Sequence, residues 1–235
     1  MNAPLSPDGN VAAAVSAVIA GGRLAAARHW APATSGNFSV RVDRERIAIT
    51  RSGVDKGALT AGDILVQPLD QPLRPGSSAE AGLHVRLYRD APEIGAIFHV
   101  HAPASSVISR AHLPDGALRI HGRELQKALR GVTTHETAIE TPIFANDQDV
   151  AALAERVALR FAEPPSAAET RAPGYLLAGH GLYAWGRDPA EAWRHLEALE
   201  TLFHQILTER SYQPRPDSLS IRPPTRAKFS STPTS

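Results

Sequence analysis

The sequence contains no cysteine. Disulfides and thiolate-held metals are excluded, so any metal must sit on His, Asp or Glu. An excess of one charge is also missing, since 25 basic and 24 acidic residues leave a formal charge of +1. That balance offers no broad basic surface, so neither nucleic acid nor membrane is expected as a partner. No apolar run is read as reaching the roughly 18 residues that span a bilayer. The N-terminus, Met1-Asn2-Ala3-Pro4-Leu5-Ser6-Pro7-Asp8, lacks a basic stretch followed by an apolar one. No secretory signal is expected there, and a cytoplasmic enzyme is the default reading. At 235 residues the chain is long enough to bury a substantial core.

What is present is an interleaving of helix and strand signals. Residues 11–30 form an alanine-rich helix interrupted in composition by Gly21-Gly22. Alternating runs at 38–42 and 47–50, joined by a polar turn, predict two strands, and 64–66 a third. A helix is expected from about 80 to 90, with Leu83 and Leu87 at i, i+4 spacing. Shorter helices are expected over 105–110 and 122–129, and an extended piece over 141–144. Asp147 is placed to cap a helix carrying Val150, Leu153, Val157 and Phe161. Strands at 174–178 and 181–186 flank His180. Asp188-Pro189-Ala190-Glu191 reads as a capped helix start, followed by Trp193, Leu196, Leu199, Phe203 and Ile206 on one face. Because several strands adjoin through short turns, the class is α/β with a mixed, mostly antiparallel sheet flanked by helices. The expected organisation is a flexible stretch 1–9, one domain over 10–212, and a disordered Pro/Ser/Thr/Arg-rich tail over 213–235.

His99-Val100-His101 ends the apolar run 94–98. In a strand, residues i and i+2 share a face, so the two imidazoles stand side by side. That arrangement suits a divalent metal; the alternative is two half-buried histidines satisfied by backbone carbonyls. His180, between Gly179 and Gly181, is either a third ligand or a plain hairpin residue. Three imidazoles leave a coordination position open, the mark of a catalytic metal.

Three small-residue loops can offer N–H groups and hydroxyls to an anion. They are Ser35-Gly36-Asn37, Thr50-Arg51-Ser52-Gly53 and Ser77-Ser78, the last at an expected helix N-terminus. Each alone is equally an ordinary turn; together they point to a small phosphorylated substrate. Glu80 follows Ser77 at capping-box spacing, a structural reading that competes with an acid/base role. Glu124 reads from spacing as a solvated helix-face carboxylate.

Together these residues resemble the class II aldolase family over residues 11–207. The resemblance implies an α/β/α layered fold and one Zn2+ per subunit held by His99, His101 and His180. It implies that Ser35, Asn37, Thr50, Ser52, Gly53, Ser77 and Ser78 line a substrate phosphate, and that Glu80 is the acid/base of the aldolase branch. Residues 49–56, 124–129, 132–136 and 181–186 are more similar to a dehydrating branch that acts on a ketose phosphate. Its eukaryotic members carry the catalytic glutamate at the position of Glu124 and a cysteine near that of Ala81. This chain holds both glutamates, so the acid/base role stays open between Glu80 and Glu124. The family implies a homotetramer. Aldolase and epimerase branches are alternatives within it, and the adducin head, which shares the fold without catalysis, is the non-enzymatic one.

Overall fold

The computed structural model describes residues 7–212. The expected tail lies outside them, as do residues 1–6 of the expected flexible N-terminus. Residues 7–9, within that expected stretch, are helical: α1 spans Pro7–Ala27. Proline suits a helix's first turn, where its missing N–H is not needed. The helix ends three residues before the expected 30, as His29 turns to φ 58°. It runs through Gly21-Gly22, where Phe98 and Leu59 pack against the bare backbone. The expectation that no apolar run reaches bilayer-spanning length fails on α1. Gly9–Ala27 is long and apolar enough, by length and composition, to cross a membrane. Alanine and valine fill it, with Arg23 its only charge. It lays Ala14, Val18 and Ala25 into the core instead of leaving that face open.

The strands are β1 (Asn37–Arg41), β2 (Arg46–Thr50), β3 (Ile64–Pro68), β4 (Ala96–Val100), β5 (Ala117–Ile120), β6 (Ala138–Phe144), β7 (Glu169–Arg171), β8 (Gly174–Leu177) and β9 (Gly181–Gly186). They join in one sheet of order β3-β2-β1-β4-β9-β8-β6-β5, with β7 beside β6. All pairs are antiparallel except β6–β8 and β6–β7. The expected α/β class with a mixed, mostly antiparallel sheet is therefore what the chain adopts. The remaining helices are α2 (Ala81–Asp90), α3 (Pro103–Ala111), α4 (Val150–Ala162) and α5 (Pro189–Ser211).

Period-two alternation sorts the strand side chains into two cores. Phe38, Val40, Ala96, Phe98, Val100, Leu182 and Ala184 join α1, α3 and α5 on one face. Ile49, Ile97, Tyr183 and Trp185 join α2 and α4 on the other. Asp188 caps α5 as its sequence requires, accepting the Glu191 N–H at 2.8 Å. At α4 the cap is Asp149, not Asp147; Asp147 accepts the Asp149 N–H one turn earlier, at 3.0 Å. The helix expected over 122–129 is a short 3₁₀ helix, Glu124–Ala128. Buried Gln126 closes it by accepting the Arg123 N–H (2.8 Å) and donating to the Thr137 carbonyl (2.7 Å).

Candidate active site and metal centre

The register of β4 and β9 brings the three histidines together. Val100 lies opposite Leu182, so the turn that opens β9 sits beside the end of β4. His99 belongs to β4; His101 follows just past its end, its N–H held by the Trp30 carbonyl at 2.8 Å. His180 ends the β8–β9 turn. Gly181 permits this approach, because a Cβ there would lie 2.0 Å from the Val100 carbonyl oxygen. Helix α3 clamps the turn: the Ser106 hydroxyl donates to the His180 carbonyl (2.7 Å), and the Gly179 N–H donates to Ser109 Oγ (3.1 Å).

The Nε2 atoms of His99, His101 and His180 lie 2.9, 3.3 and 2.8 Å apart, taken as the pairs 99–101, 99–180 and 101–180. His99 Nδ1 donates to the Leu182 carbonyl (3.1 Å), and His180 Nδ1 to Asn146 Oδ1 (3.2 Å). In neutral rings those bonds leave both Nε2 atoms as bare lone pairs facing one another, which is unfavourable without a cation between them. Burial pushes the His99 imidazole well below its ordinary pKa. Burial, with the charge of His180, pushes His101 down to about 4. Both are therefore neutral near pH 7, the form that ligates. The Tyr183 ring stacks on His99 at 3.9 Å and 14°, fixing its plane.

Glu80 completes the cluster. The capping-box reading is overturned: α2 starts at Ala81, Glu80 occupies the cap position in helical conformation, and its side chain caps nothing. The carboxylate turns instead to His180 Nε2 (3.2 Å) and His99 Nε2 (3.6 Å), and accepts from Asn37 Nδ2 at 2.7 Å. Burial raises its pKa, but closeness to the His180 and His99 rings and the hydrogen bond from Asn37 outweigh that and hold it below the usual carboxylate range.

A polar seam sets this position. On β1, Asn37, Ser39 and Arg41 point at α2, which answers with Glu80, His84 and Tyr88. Asn37 bonds Glu80, Ser39 Oγ lies 2.6 Å from His84 Nδ1, and Arg41 donates to the Tyr88 carbonyl at 2.9 Å. Two strand residues advance about 6.8 Å and four helix residues about 6.0 Å, so the partners stay in step along the seam.

Glu124 stands apart. Its carboxylate is exposed, pairs with Lys127, and lies 3.8 Å from His135 Nδ1. It is not among the groups gathered within 4.8 Å of one another, which are Glu80, His99, His101 and His180.

The loops divide. Ser35 Oγ, Asn37 Oδ1 and Ser77 Oγ are buried without a partner, as expected of atoms that meet a polar ligand. Thr50 Oγ1 already accepts the Phe38 N–H (3.2 Å), and Ser78 Oγ accepts that of Glu80 (3.3 Å). The Ser52 N–H bonds the Gly76 carbonyl at 2.9 Å, and exposed Gly53 takes the left-handed φ of 72°. Ser77 and Ser78 precede α2 by several residues and so do not cap it.

The donor set fits a divalent metal. Tetrahedral zinc with Zn–N near 2.0–2.1 Å spaces its nitrogens about 3.3 Å apart, close to the separations found. The other ring nitrogens of His99 and His180 are anchored in the manner usual for ligating imidazoles. Sequence reasoning missed Asn146, Tyr183, His84, Lys56 and the α3 serines. Lys56 and Tyr183 lie inside the matched runs 49–56 and 181–186 without being singled out there, and Asn146, His84 and the α3 serines lie in none of those runs.

A model of the class II aldolase and adducin N-terminal domain matches residues 16–207, and the chain belongs to that family. Its relatives include proteins named methylthioribulose-1-phosphate dehydratase. That of Bradyrhizobium sp. is 59% identical over 209 residues, 89% of this chain and 97% of the relative. That of Parvibaculum lavamentivorans is 46% identical over 200 residues, 85% and 96% respectively. Among solved structures, the L-fuculose-1-phosphate aldolase of Thermus thermophilus aligns with a TM-score of 0.67 and 30% identity, covering 84% of this chain and 95% of that one.

Proposed function

We propose that this protein is a zinc-dependent hydro-lyase that converts 5-methylthioribulose 1-phosphate to 2,3-diketo-5-methylthiopentyl 1-phosphate and water, a step of methionine salvage. The observation that carries the reading is the convergence of His99, His101, His180 and Glu80 within 4.8 Å of one another. The dehydratases sharing 46–59% identity supply the substrate. Zn2+ held by the three imidazoles supplies a Lewis acid that acidifies a proton next to a ketone.

The protein's own groups do the rest. Ser35, Asn37 and Ser77, whose buried oxygens lack partners, take the phosphate end, with Thr50, Ser52, Gly53 and Ser78 shaping the loops around it. Removal of the C3 proton is assigned to Glu80, which lies with the three imidazoles. The electron pair so released forms a C2–C3 enediolate. Its collapse makes the C3–C4 double bond as the C4–O bond breaks, and the departing hydroxide takes up the proton that Glu80 removed and leaves as water. The C3 enol then ketonises to the 2,3-diketone. Residues 10–212 form the catalytic domain, and the assembly is a cytoplasmic homotetramer with one zinc per subunit.

A second reading is retro-aldol cleavage of a sugar phosphate, favoured by the match of Glu80 to the aldolase acid/base. Parallel assays separate the two. Diketone formation from methylthioribulose 1-phosphate, with no aldehyde released from L-fuculose 1-phosphate, supports dehydration; the converse pattern sinks it.

A further inference from the structure

Lys56 is 1% exposed. Its ammonium donates to the Val54 carbonyl at 2.8 Å and, across 22 residues, to the Thr34 carbonyl at 2.7 Å. The segment it reaches is strained. Ala33 and Thr34 both hold left-handed φ angles, 50° and 64°, at a cost that only surrounding structure can sustain. Gly36 follows at φ 75°, packed so closely on His99 that a Cβ would lie 2.5 Å from its carbonyl oxygen. This backbone presents Ser35 and Asn37, two of the residues with unpartnered buried oxygens.

The second loop, in turn, is joined to the third. Arg51 bridges Ser77, and the Ser52 N–H bonds the Gly76 carbonyl. Lys56 therefore links the first small-residue loop to the second, and the bridge links the second to Ser77.

We propose that Lys56 is the positioning residue of the anion pocket: it holds the 33–36 backbone in the conformation that presents Ser35 and Asn37, and it supplies the buried positive charge beneath those loops. The inference rests on reading the loops as a phosphate site, not on the dehydration step.

The test is calorimetric titration of the full-length, metal-loaded protein with inorganic phosphate, repeated on Lys56→Met and Lys56→Arg. A buried charge and its bonds predict phosphate binding weakened about 10- to 100-fold in Lys56→Met. Metal content should be unchanged, the substrate KM should rise in parallel while kcat moves less, and Lys56→Arg should recover part of the loss. Phosphate binding within twofold of the parent, with only a lower melting temperature, would show a mere loop staple and overturn the proposal. If the parent binds no phosphate, the phosphate reading itself fails and the inference falls with it. Should Lys56→Met not fold, the parent's 15N spectrum decides. The chain has three lysines, and the slowly exchanging Nζ of Lys56 must shift at saturating phosphate; an unmoved signal overturns the proposal.

Discussion

Replacing Glu200 by glutamine should stabilise the protein at alkaline pH and leave it unchanged in acid. Glu200 lies on α5, 2% exposed, and neither carboxylate oxygen has a hydrogen-bond partner. The nearby Ser105 hydroxyl gives its proton to the Ala102 carbonyl instead, at 3.0 Å. Burial pushes the Glu200 carboxyl from 4.5 up to about 7, with Ser105 opposing weakly. The folded-state pKa is thus raised above the unfolded one. Below pH 4.5 both states hold the proton and no penalty exists. Between pH 4.5 and 7 the unfolded chain releases the proton while the folded one keeps it, so stability falls as pH rises. Above 7 the full cost is present. Each pKa unit corresponds to about 1.4 kcal/mol, which makes that cost about 3 kcal/mol. Glutamine keeps the shape without the charge. At 2–4 °C per kcal/mol for a chain of this size, Glu200→Gln should melt about 6–12 °C higher than the parent at pH 8. At pH 4.5 the two should coincide. Thermal denaturation at both pH values checks this, and comparing variant with parent cancels the titration of every other group. An equal offset at both pH values, or a variant less stable at pH 8, refutes the reasoning.

At the site, Glu80→Gln should lower kcat about 100-fold or more while zinc content holds, whereas Glu124→Gln should stay within about threefold of the parent. Steady-state kinetics with the ketose phosphate measures both, and the reverse ranking moves the acid/base role to Glu124. Gly181→Ala places a Cβ 2.0 Å from the Val100 carbonyl oxygen. It should part β4 from β9, cost about 2–3 kcal/mol in denaturant unfolding, and lower the bound metal seen by elemental analysis; unchanged metal and stability would show that the two strands need no such contact.

Much of the site was legible because it is local. His99 and His101 announce themselves by period two at the end of an apolar run, and His180 by the glycines that a close strand approach demands. Glu80 was ambiguous for a physical reason. The spacing from Ser77 that makes a capping box also describes a carboxylate at the mouth of a helix, and only the packing of α2 on β1 decides which way it turns. The seam of Asn37, Ser39 and Arg41 against Glu80, His84 and Tyr88 was invisible. A strand period of two and a helix period near four match only in three dimensions. Lys56 lay inside the matched run 49–56 with no role of its own, since nothing nearby in sequence shows that Thr34 will hold a left-handed angle. β5 and β7 were missed because they are short, and β7 is only half-buried, so neither carries a full alternating pattern. The apolarity of α1 was underestimated because alanine is a weak hydrophobic signal, although a run of it with valine makes a long apolar helix.

Dehydration should depend on a metal held by His99, His101 and His180. Stripping the protein with a chelator and adding zinc back, while following the diketone formed from methylthioribulose 1-phosphate, tests it most directly. The stripped protein should show no turnover and a recovery that saturates at one zinc per chain, with His101→Gln recovering neither metal nor activity. Full turnover without metal, or stoichiometric zinc uptake by His101→Gln, would contradict it.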